Sequence, residues 1–443
     1  MKRRIPVGAP GRKRDAGTKK RGRAAGKAAV GERSVERPAV VRTAKPATDR
    51  APDVALSLFA ITAPGLEGIT ADELRALGVA APVIEPGGVA FTGTLSDVYR
   101  ANLWLRTASR VVIRIASFHA SEFHELERRA KRVPWERYIG VPARARFRVT
   151  CRKSRLYHSD AVAERLAKII EQKHGLAGGF SMAGADDGPS DDDAPDSDDA
   201  QLFIVRLVND EVTISADSSG ELLHRRGYRQ AVLKAPLRET LAAAMLVGSR
   251  WRPDMPLVDP MCGSGTIAIE GAMIARAMAP GIDHARGRSR QFAFMQWAGF
   301  DDRAWSERVA SAIAGAGATT ASTIIASDRD AGAIVAARAN AERAGVAGDI
   351  EFRQGAVSAL ELPASPGWIV SNPPYGVRVG ETGALRNLYA QLGRVMRDRA
   401  RGWTLALLAA DRALERQVGV RFEDVFRVSN GGIPVRLVKA LID

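Results

Sequence analysis

The stretch Asp259-Pro260-Met261-Cys262-Gly263-Ser264-Gly265-Thr266 decides the fold of this chain. It follows the short apolar strand Leu257-Val258-Asp259 and opens a helical pattern. Gly263 and Gly265 allow the backbone to turn tightly and to approach a ligand closely. The start of the helix offers free N–H groups and the positive end of a dipole. A strand, a glycine turn and a helix in this order predict a ligand site at the carboxyl end of a strand in an open α/β sheet.

The sequence around this turn alternates between apolar strands and helices, which predicts a doubly wound, largely parallel sheet. Strands are predicted at 257–259, 322–327, 350–353, 368–371 and 403–409, and helices include 236–248 and 331–344. The last two strands, 421–428 and 433–441, are joined by Asn430-Gly431-Gly432. So short a connection requires an antiparallel hairpin at the sheet edge. We therefore predict a Rossmann-like α/β domain over residues 219–443.

Two carboxylates favour S-adenosylmethionine (SAM) over a dinucleotide as the ligand. The spacing Gly263-x-Gly265-x-x-Ala268 also fits a dinucleotide site, but that site needs an acidic residue about 20 residues further on. The next strand-end carboxylate, Asp328, lies 63 residues beyond Gly265. Asp259 can engage the amino group of SAM, and Asp328 can accept both ribose hydroxyls, while Asp330 is the expected helix cap. The candidate cofactor-binding residues are Asp259, Pro260, Cys262, Gly263, Ser264, Gly265, Thr266 and Asp328.

The tetrad Asn372-Pro373-Pro374-Tyr375 follows another apolar strand and supplies the candidate catalytic residues. Its prolines remove backbone donors and fix φ, so the chain holds a rigid shape. Asn372 and the carbonyl of Pro373 can accept hydrogen bonds from a planar NH2 group, and Tyr375 can stack on a base. The nitrogen lone pair then faces the methyl carbon, and the rate gain comes mainly from positioning. Together with the glycine turn, the tetrad predicts methylation of an exocyclic amine.

The residues before 219 predict two smaller α+β units. Strands at 56–61, 89–91 and 111–115 alternate with helices at 66–77 and 95–105, which gives a unit over residues 53–115. In the second unit, 116–218, we predict helices at 123–132 and 159–173, a strand at 146–150, an acidic loop at 181–200, and a hairpin of 202–208 with 211–216 around Asn209-Asp210.

Charge and composition point to a polyanionic partner in a reducing compartment. Of the net charge of +15, residues 1–50 supply +12, and we interpret residues 1–52 as a disordered basic tail. The two cysteines, Cys151 and Cys262, exclude a disulfide framework and fit the cytoplasm. Cys262 is interpreted as a small pocket-lining residue. The sequence shows no metal-ligand spacing, no secretory signal and no apolar run of the ~18–20 residues that a membrane span needs.

A cluster of cations on one predicted strand and the loop after it predicts contacts with phosphates. The candidate RNA-binding residues are Arg146, Arg148, Arg152, Lys153 and Arg155. A solvated strand face is the alternative interpretation of the same pattern.

Over residues 55–443 the sequence resembles the class I RNA methyltransferases with an N-terminal THUMP domain, specifically the bacterial guanine-N2 ribosomal RNA methyltransferases. Besides the two motifs, the resemblance rests on the stretches His224–Arg229, Ala235–Ala243, Phe292–Trp297 with Trp305, and Phe147–Asp160. It implies a ferredoxin-like domain over 53–115, a THUMP domain over 116–218 that docks structured RNA, and a cofactor pocket lined by 224–242. Related enzymes usually place an Asp at the position of Ala356, where it contacts the adenine of the cofactor. In this sequence that contact is either weaker or made by a neighbouring residue.

The resemblance implies SAM-dependent methylation of guanine N2, with ribosomal RNA favoured over transfer RNA as the partner and neither a metal nor a membrane involved. Transfer RNA guanine-N2 methylation is the first alternative. DNA adenine or protein glutamine methylation uses the same tetrad, although the 147–160 stretch argues against both. A noncatalytic RNA-binding or ribosome-assembly factor is the alternative of a different class.

Overall fold

The computed structural model describes residues 54–140, 144–174, 180–182, 200–230, 237–375 and 382–443. The predicted basic tail and nearly all of the predicted acidic loop lie outside these residues. Among the described helices, none has the length and apolar character needed to cross a membrane.

An eight-stranded sheet forms the N-terminal part of the described chain. Its strands are β1 (Leu56–Thr62), β2 (Val83–Glu85), β3 (Gly88–Gly93), β4 (Ala108–His119), β5 (Ala145–Arg152), β6 (Phe180–Met182), β7 (Gln201–Val208) and β8 (Glu211–Asp217). The helices here are α1 (Glu67–Ala76), α2 (Leu95–Trp104), α3 (Phe123–Ala130) and α4 (Ser159–His174). The strand order is β2-β3-β1-β4-β8-β7-β5-β6.

Strand β4 is the longest element of this sheet and joins its two halves. The apolar pattern predicted only residues 111–115, but the strand continues to His119 because its second half pairs with β8. Its first half pairs with β1. The segments predicted as the ferredoxin-like and THUMP units therefore share one continuous sheet.

The turn between β7 and β8 shows how the sequence fits this sheet. Asn209 has φ 52° and Asp210 has φ 63°. Positive φ at both central residues belongs to a type I′ turn, which matches the twist of a hairpin and which Asn and Asp tolerate better than most residues. The predicted hairpin is thus confirmed, with a turn other than the favoured Asn-Gly pair.

A seven-stranded sheet forms the C-terminal part. In chain order the strands of this part are β9 (Leu257–Asp259), β10 (Ile282–Asp283), β11 (Arg288–Ser289), β12 (Ile324–Asp328), β13 (Ile350–Gln354), β14 (Trp368–Ser371), β15 (Thr404–Ala409), β16 (Glu423–Asn430) and β17 (Ile433–Leu441). Strands β10 and β11 pair only with each other, and the other strands form the seven-stranded sheet. The helices are α5 (Glu239–Gly248), α6 (Thr266–Ala275), α7 (Asp302–Ala314), α8 (Ala331–Ala344), α9 (Thr382–Arg399) and α10 (Arg412–Val418).

The order of the large C-terminal sheet is β13-β12-β9-β14-β15-β17-β16. Its first five strands are parallel, and β17 pairs antiparallel with both β15 and β16. The predicted Rossmann-like sheet with a terminal antiparallel hairpin is therefore confirmed. Strand β9 lies between β12 and β14, which places the ends of these three strands side by side.

The aromatic stretch before α7, together with Trp305 on that helix, packs against the N-terminal sheet and its helices. The ring centroids of Phe294 and Tyr99 on α2 are 4.8 Å apart. Trp305 lies 5.6 Å from the same tyrosine, edge to face. The indole N–H of Trp297 donates a 2.8 Å hydrogen bond to Gln201 on β7. These buried aromatics join the two parts of the molecule.

Candidate active site

The glycine turn between β9 and α6 is held by backbone hydrogen bonds. Cys262 N–H donates to the carbonyl of Ser327 at 2.9 Å, and Gly265 N–H donates to the carbonyl of Cys262 at 2.8 Å. Gly263 and Gly265 have φ 52° and 82°. A Cβ on Gly265 would lie 2.8 Å from the Cβ of Ala337 on α8, whereas a Cβ on Gly263 would meet nothing within 4 Å. Gly265 thus lets α8 approach, and Gly263 leaves open space at the turn.

The two glycines give a paired prediction. We expect Gly265→Ala to lower the free energy of unfolding by about 3 kcal/mol, because it adds a clash with α8 to the cost of a positive φ. Gly263→Ala carries only the φ cost, about 1 kcal/mol, but its methyl group fills the open space and weakens SAM binding. Urea denaturation and calorimetric titration with SAM separate the two effects. Equal losses of stability in the two variants would contradict this assignment.

Asp259 is fully buried at the end of β9. Its Oδ1 accepts a 2.7 Å hydrogen bond from the hydroxyl of Ser371 and a 3.2 Å bond from the N–H of Met261. Burial raises the pKa of Asp259 to about 7, because desolvation outweighs these hydrogen bonds. A buried carboxylate of this kind favours a cationic ligand group, which would offset part of its desolvation.

Asp328 lies at the end of β12 and connects that strand to the glycine turn. Its Oδ2 accepts a 3.0 Å hydrogen bond from the N–H of Gly263, and its Oδ1 accepts one of 3.0 Å from the N–H of Asp330. Asp330 caps α8 by accepting a 2.8 Å bond from the N–H of Gly332, as predicted. Asp328 therefore contacts the glycine turn, whereas Asp330 caps the helix.

The Asn-Pro-Pro-Tyr tetrad leaves the end of β14. The hydroxyl of Tyr375 donates a short hydrogen bond to Oδ1 of Asn372 and accepts a 3.4 Å bond from Asn430 of the terminal hairpin. The hydroxyl of Tyr389 donates to the carbonyl of Pro374 at 3.4 Å. The first proline of the tetrad is buried, and the second is exposed. The sequence did not reveal that the side-chain acceptor of Asn372 is already engaged by the tyrosine, since this depends on side-chain rotamers.

The fold brings the three predicted motifs together at one edge of the sheet. The bond from Gly263 to Asp328 joins the glycine turn to β12, and the bond from Ser371 to Asp259 joins it to β14. The cationic candidates lie elsewhere, on β5 and the loop after it. The predicted site residues thus form two groups, one at the sheet edge and one on the N-terminal sheet.

The remaining turn residues are buried in the wall of the site. Pro260, Ser264 and Thr266 are inaccessible or nearly so, and the carbonyl of Ser264 accepts a 3.0 Å bond from Asn340 on α8. Burial raises the pKa of the Cys262 thiol well above its usual range. The thiolate needed for nucleophilic attack is therefore disfavoured, which supports a pocket-lining role.

A buried charged network behind the turn was not predicted from the sequence. Glu270 on α6 is fully buried, pairs with Arg226 at 2.7 Å, and accepts a 2.8 Å hydrogen bond from the hydroxyl of Tyr228. Arg226 also donates to the carbonyl of Arg106, next to β4, at 2.7 Å. The 224–229 stretch thus connects α6, the helix that follows the glycine turn, to the N-terminal sheet. A glutamate inside the apolar run of α6 was the signal that could have indicated this.

The cationic surface follows β5. Arg146 and Arg148 alternate with buried apolar residues and so lie on the sheet face opposite the core. The three cations after them are exposed: Arg152, Lys153 and Arg155. The loop is held by Asp210, which accepts a 2.7 Å bond from the N–H of Arg155. Beyond it, the ring of Tyr157 is 68% exposed and lies 4.0 Å from that of His158. An exposed aromatic beside cations is typical of a nucleic-acid surface.

The strand order, the glycine turn preceded by Asp259, and the tetrad at the end of the neighbouring strand define a class I methyltransferase. The cofactor of this class is SAM. The residues present fit that group. Asp259 offers a buried carboxylate for an ammonium group, and the open space at Gly263 admits a ligand against the backbone.

Comparison with known proteins agrees with this assignment. The RMKL-like methyltransferase domain model matches residues 226–439, and the RlmL ferredoxin-like domain model matches residues 57–112. A Synechocystis protein, provisionally named an RNA methyltransferase, is 35% identical over 383 residues, which are 86% of this chain and 95% of that protein. The chain belongs to the RMKL-like methyltransferase family.

A further relative and two solved structures carry other names. Ribosomal RNA large subunit methyltransferase K/L of Syntrophotalea carbinolica is 35% identical over 405 residues, covering 87% of this chain and 53% of that protein. The solved structure of SMU.472, provisionally described as a methyltransferase and complexed with S-adenosylhomocysteine, has a TM-score of 0.74 at 28% identity over 88% of this chain and 98% of that one. A Listeria monocytogenes structure, described as a predicted N6-adenine-specific DNA methylase, has a TM-score of 0.72 at 34% identity over 87% and 96%.

Proposed function

We propose that this protein transfers a methyl group from SAM to the N2 amine of guanine in structured RNA, with large-subunit ribosomal RNA as the preferred acceptor. The observation that carries the proposal is the tetrad at the end of β14, linked to the cofactor turn by the Ser371–Asp259 hydrogen bond. This arrangement supports methylation of a planar amine. RNA is supported by the names of the relatives and by the cationic surface, and guanine N2 by the family resemblance.

The chemistry assigned to the tetrad is positioning. Oδ1 of Asn372 and the carbonyl of Pro373 accept hydrogen bonds from the amine, which aims the nitrogen lone pair at the methyl carbon. The base amine replaces the Tyr375 hydroxyl on Asn372, so one hydrogen bond is exchanged for another at small net cost. The bound cofactor supplies a methyl group activated by its sulfonium charge, and the nitrogen loses its proton to solvent. No strong general base is required.

The cationic surface is assigned to RNA docking. Arg146 and Arg148 are half-buried along β5, and the exposed cations after this strand continue the cationic stripe to Tyr157. Phosphate contacts hold the RNA in register without reading its sequence, while the exposed ring can stack on an unpaired base. The THUMP role implied by the resemblance for residues 116–218 is part of this proposal.

The acceptor is tested by offering purified protein and methyl-labelled SAM to ribosomal RNA, transfer RNA and DNA. We expect label in ribosomal RNA that RNase releases and DNase does not. Preferential labelling of transfer RNA would favour the transfer RNA alternative, and labelling of DNA would favour the activity named for the Listeria relative. SAM binding without transfer to any acceptor would favour a noncatalytic assembly factor.

A further inference from the structure

The hydrogen bond between Ser371 and Asp259 connects the two halves of the site. The hydroxyl of Ser371 lies 2.7 Å from Oδ1 of Asp259, and both residues are fully buried. Ser371 ends β14 and directly precedes Asn372, while Asp259 ends the neighbouring strand β9. The two strands are in register through Ile369 and Val258. A change in the hydrogen bond of this hydroxyl therefore also changes the backbone position of Asn372, the first residue of the tetrad.

We propose that Ser371 is a positioning residue that holds the carboxylate of Asp259 in place for the cofactor and at the same time fixes the backbone from which Asn372 reaches the acceptor amine. The inference rests on the proposed role of Asn372. A serine hydroxyl has one proton to donate, and here it is donated to the carboxylate. Because the pair is buried, water does not replace the bond when the hydroxyl is removed.

The charges around Asp259 set the direction of the effect. Burial and the negative charge of Asp328 both raise the pKa of Asp259, while the Ser371 hydroxyl and the Met261 N–H lower it. The titratable groups that face it in the described chain are Asp328 from β12 and the neutral thiol of Cys262 from the turn. Removing the hydroxyl takes away a group that favours the carboxylate. The pKa of Asp259 then rises further above about 7, and more of it is protonated at neutral pH.

Ser371→Ala is expected to move the acidic limb of kcat/KM for SAM upward by about one pH unit. Calorimetric titration with S-adenosylhomocysteine should show the same shift in affinity, independently of any acceptor. At pH 9, where Asp259 is ionised in both proteins, kcat should still be about tenfold lower because Asn372 is less well held. Ser371→Thr, which keeps the hydroxyl, should restore both quantities.

Ser249→Ala is the matched control, since Ser249 is a buried serine whose hydroxyl donates to the carbonyl of Leu246, away from the site. It should leave the acidic limb unchanged. If Ser371→Ala does not fold, Ser371→Cys, a weaker donor of similar size, takes its place with a smaller shift in the same direction. A wild-type acidic limb in Ser371→Ala or Ser371→Cys, or no rescue by Ser371→Thr, would overturn the proposal. Failure of the wild type to methylate RNA would count against the proposed function and the role of Asn372, while the binding shift, which is measured without RNA, would still test the pairing of Ser371 with Asp259.

Discussion

Asn372→Ala should bind SAM nearly as well as the wild type and transfer methyl groups at least about 100-fold more slowly. Asn372 directly follows β14, and its side-chain oxygen is bonded to Tyr375 and not to the glycine turn, so we expect its side chain to add little to cofactor binding. Its amide oxygen is the acceptor that would orient the amine, and without it the lone pair is not aimed. Calorimetric titration gives the SAM affinity, and single-turnover transfer of labelled methyl groups gives the rate.

Tyr375→Phe is the control for this prediction. It removes the hydroxyl that occupies Oδ1 of Asn372 in the free protein but keeps the ring. We expect a change of at most a few fold in the rate, because the base amine takes that acceptor in the complex. A rate for Asn372→Ala within a few fold of the wild type would show that the amide does not position the acceptor.

Glu270→Ala should lower the free energy of unfolding by about 3–5 kcal/mol. The substitution leaves Arg226 buried without its carboxylate and removes the acceptor of the Tyr228 hydroxyl. Because Arg226 also donates a hydrogen bond to the carbonyl of Arg106, we expect the contact between the N-terminal part and α6 to loosen. Urea denaturation measures the loss, and hydrogen exchange locates it.

The control is an exposed ion pair in the terminal hairpin. Glu423 pairs with Lys439 at 3.0 Å, and its side chain is 66% exposed. Glu423→Ala should cost about 0–1 kcal/mol, because solvent and salt screen such pairs. Glu270→Gln, which keeps the shape and the acceptor for Tyr228, should fall between the two. If Glu270→Ala costs no more than Glu423→Ala, the buried network does not hold this junction.

The C-terminal sheet was predictable because its elements are set by local patterns. Apolar runs with period-breaking turns indicated each strand, and helix α8 was predicted with the bounds 331–344 that the structure shows. The short connection through Gly431 and Gly432 predicted the antiparallel pairing of β16 and β17. Here local propensity and the final fold agree.

The features that were not predicted depend on neighbours distant in sequence. Strand β4 extends past residue 115 only because β8 offers it a partner. The hydrogen bond from Ser371 to Asp259 joins residues 112 positions apart and requires β9 and β14 to be adjacent. Glu270 was noticeable as a charge in an apolar helix, but nothing near it in sequence identified Arg226 and Tyr228 as its partners. Sequence patterns located the site, and tertiary pairing determined how its parts are connected.

Identification of the methylated nucleoside tests the central claim most directly. Ribosomal RNA from cells lacking the gene is incubated with SAM and either the wild-type protein or Asn372→Ala, then digested and analysed by mass spectrometry. We predict that N2-methylguanosine rises with the wild type and not with the variant. N6-methyladenosine in place of N2-methylguanosine, or an equal rise with both proteins, would contradict the proposed reaction.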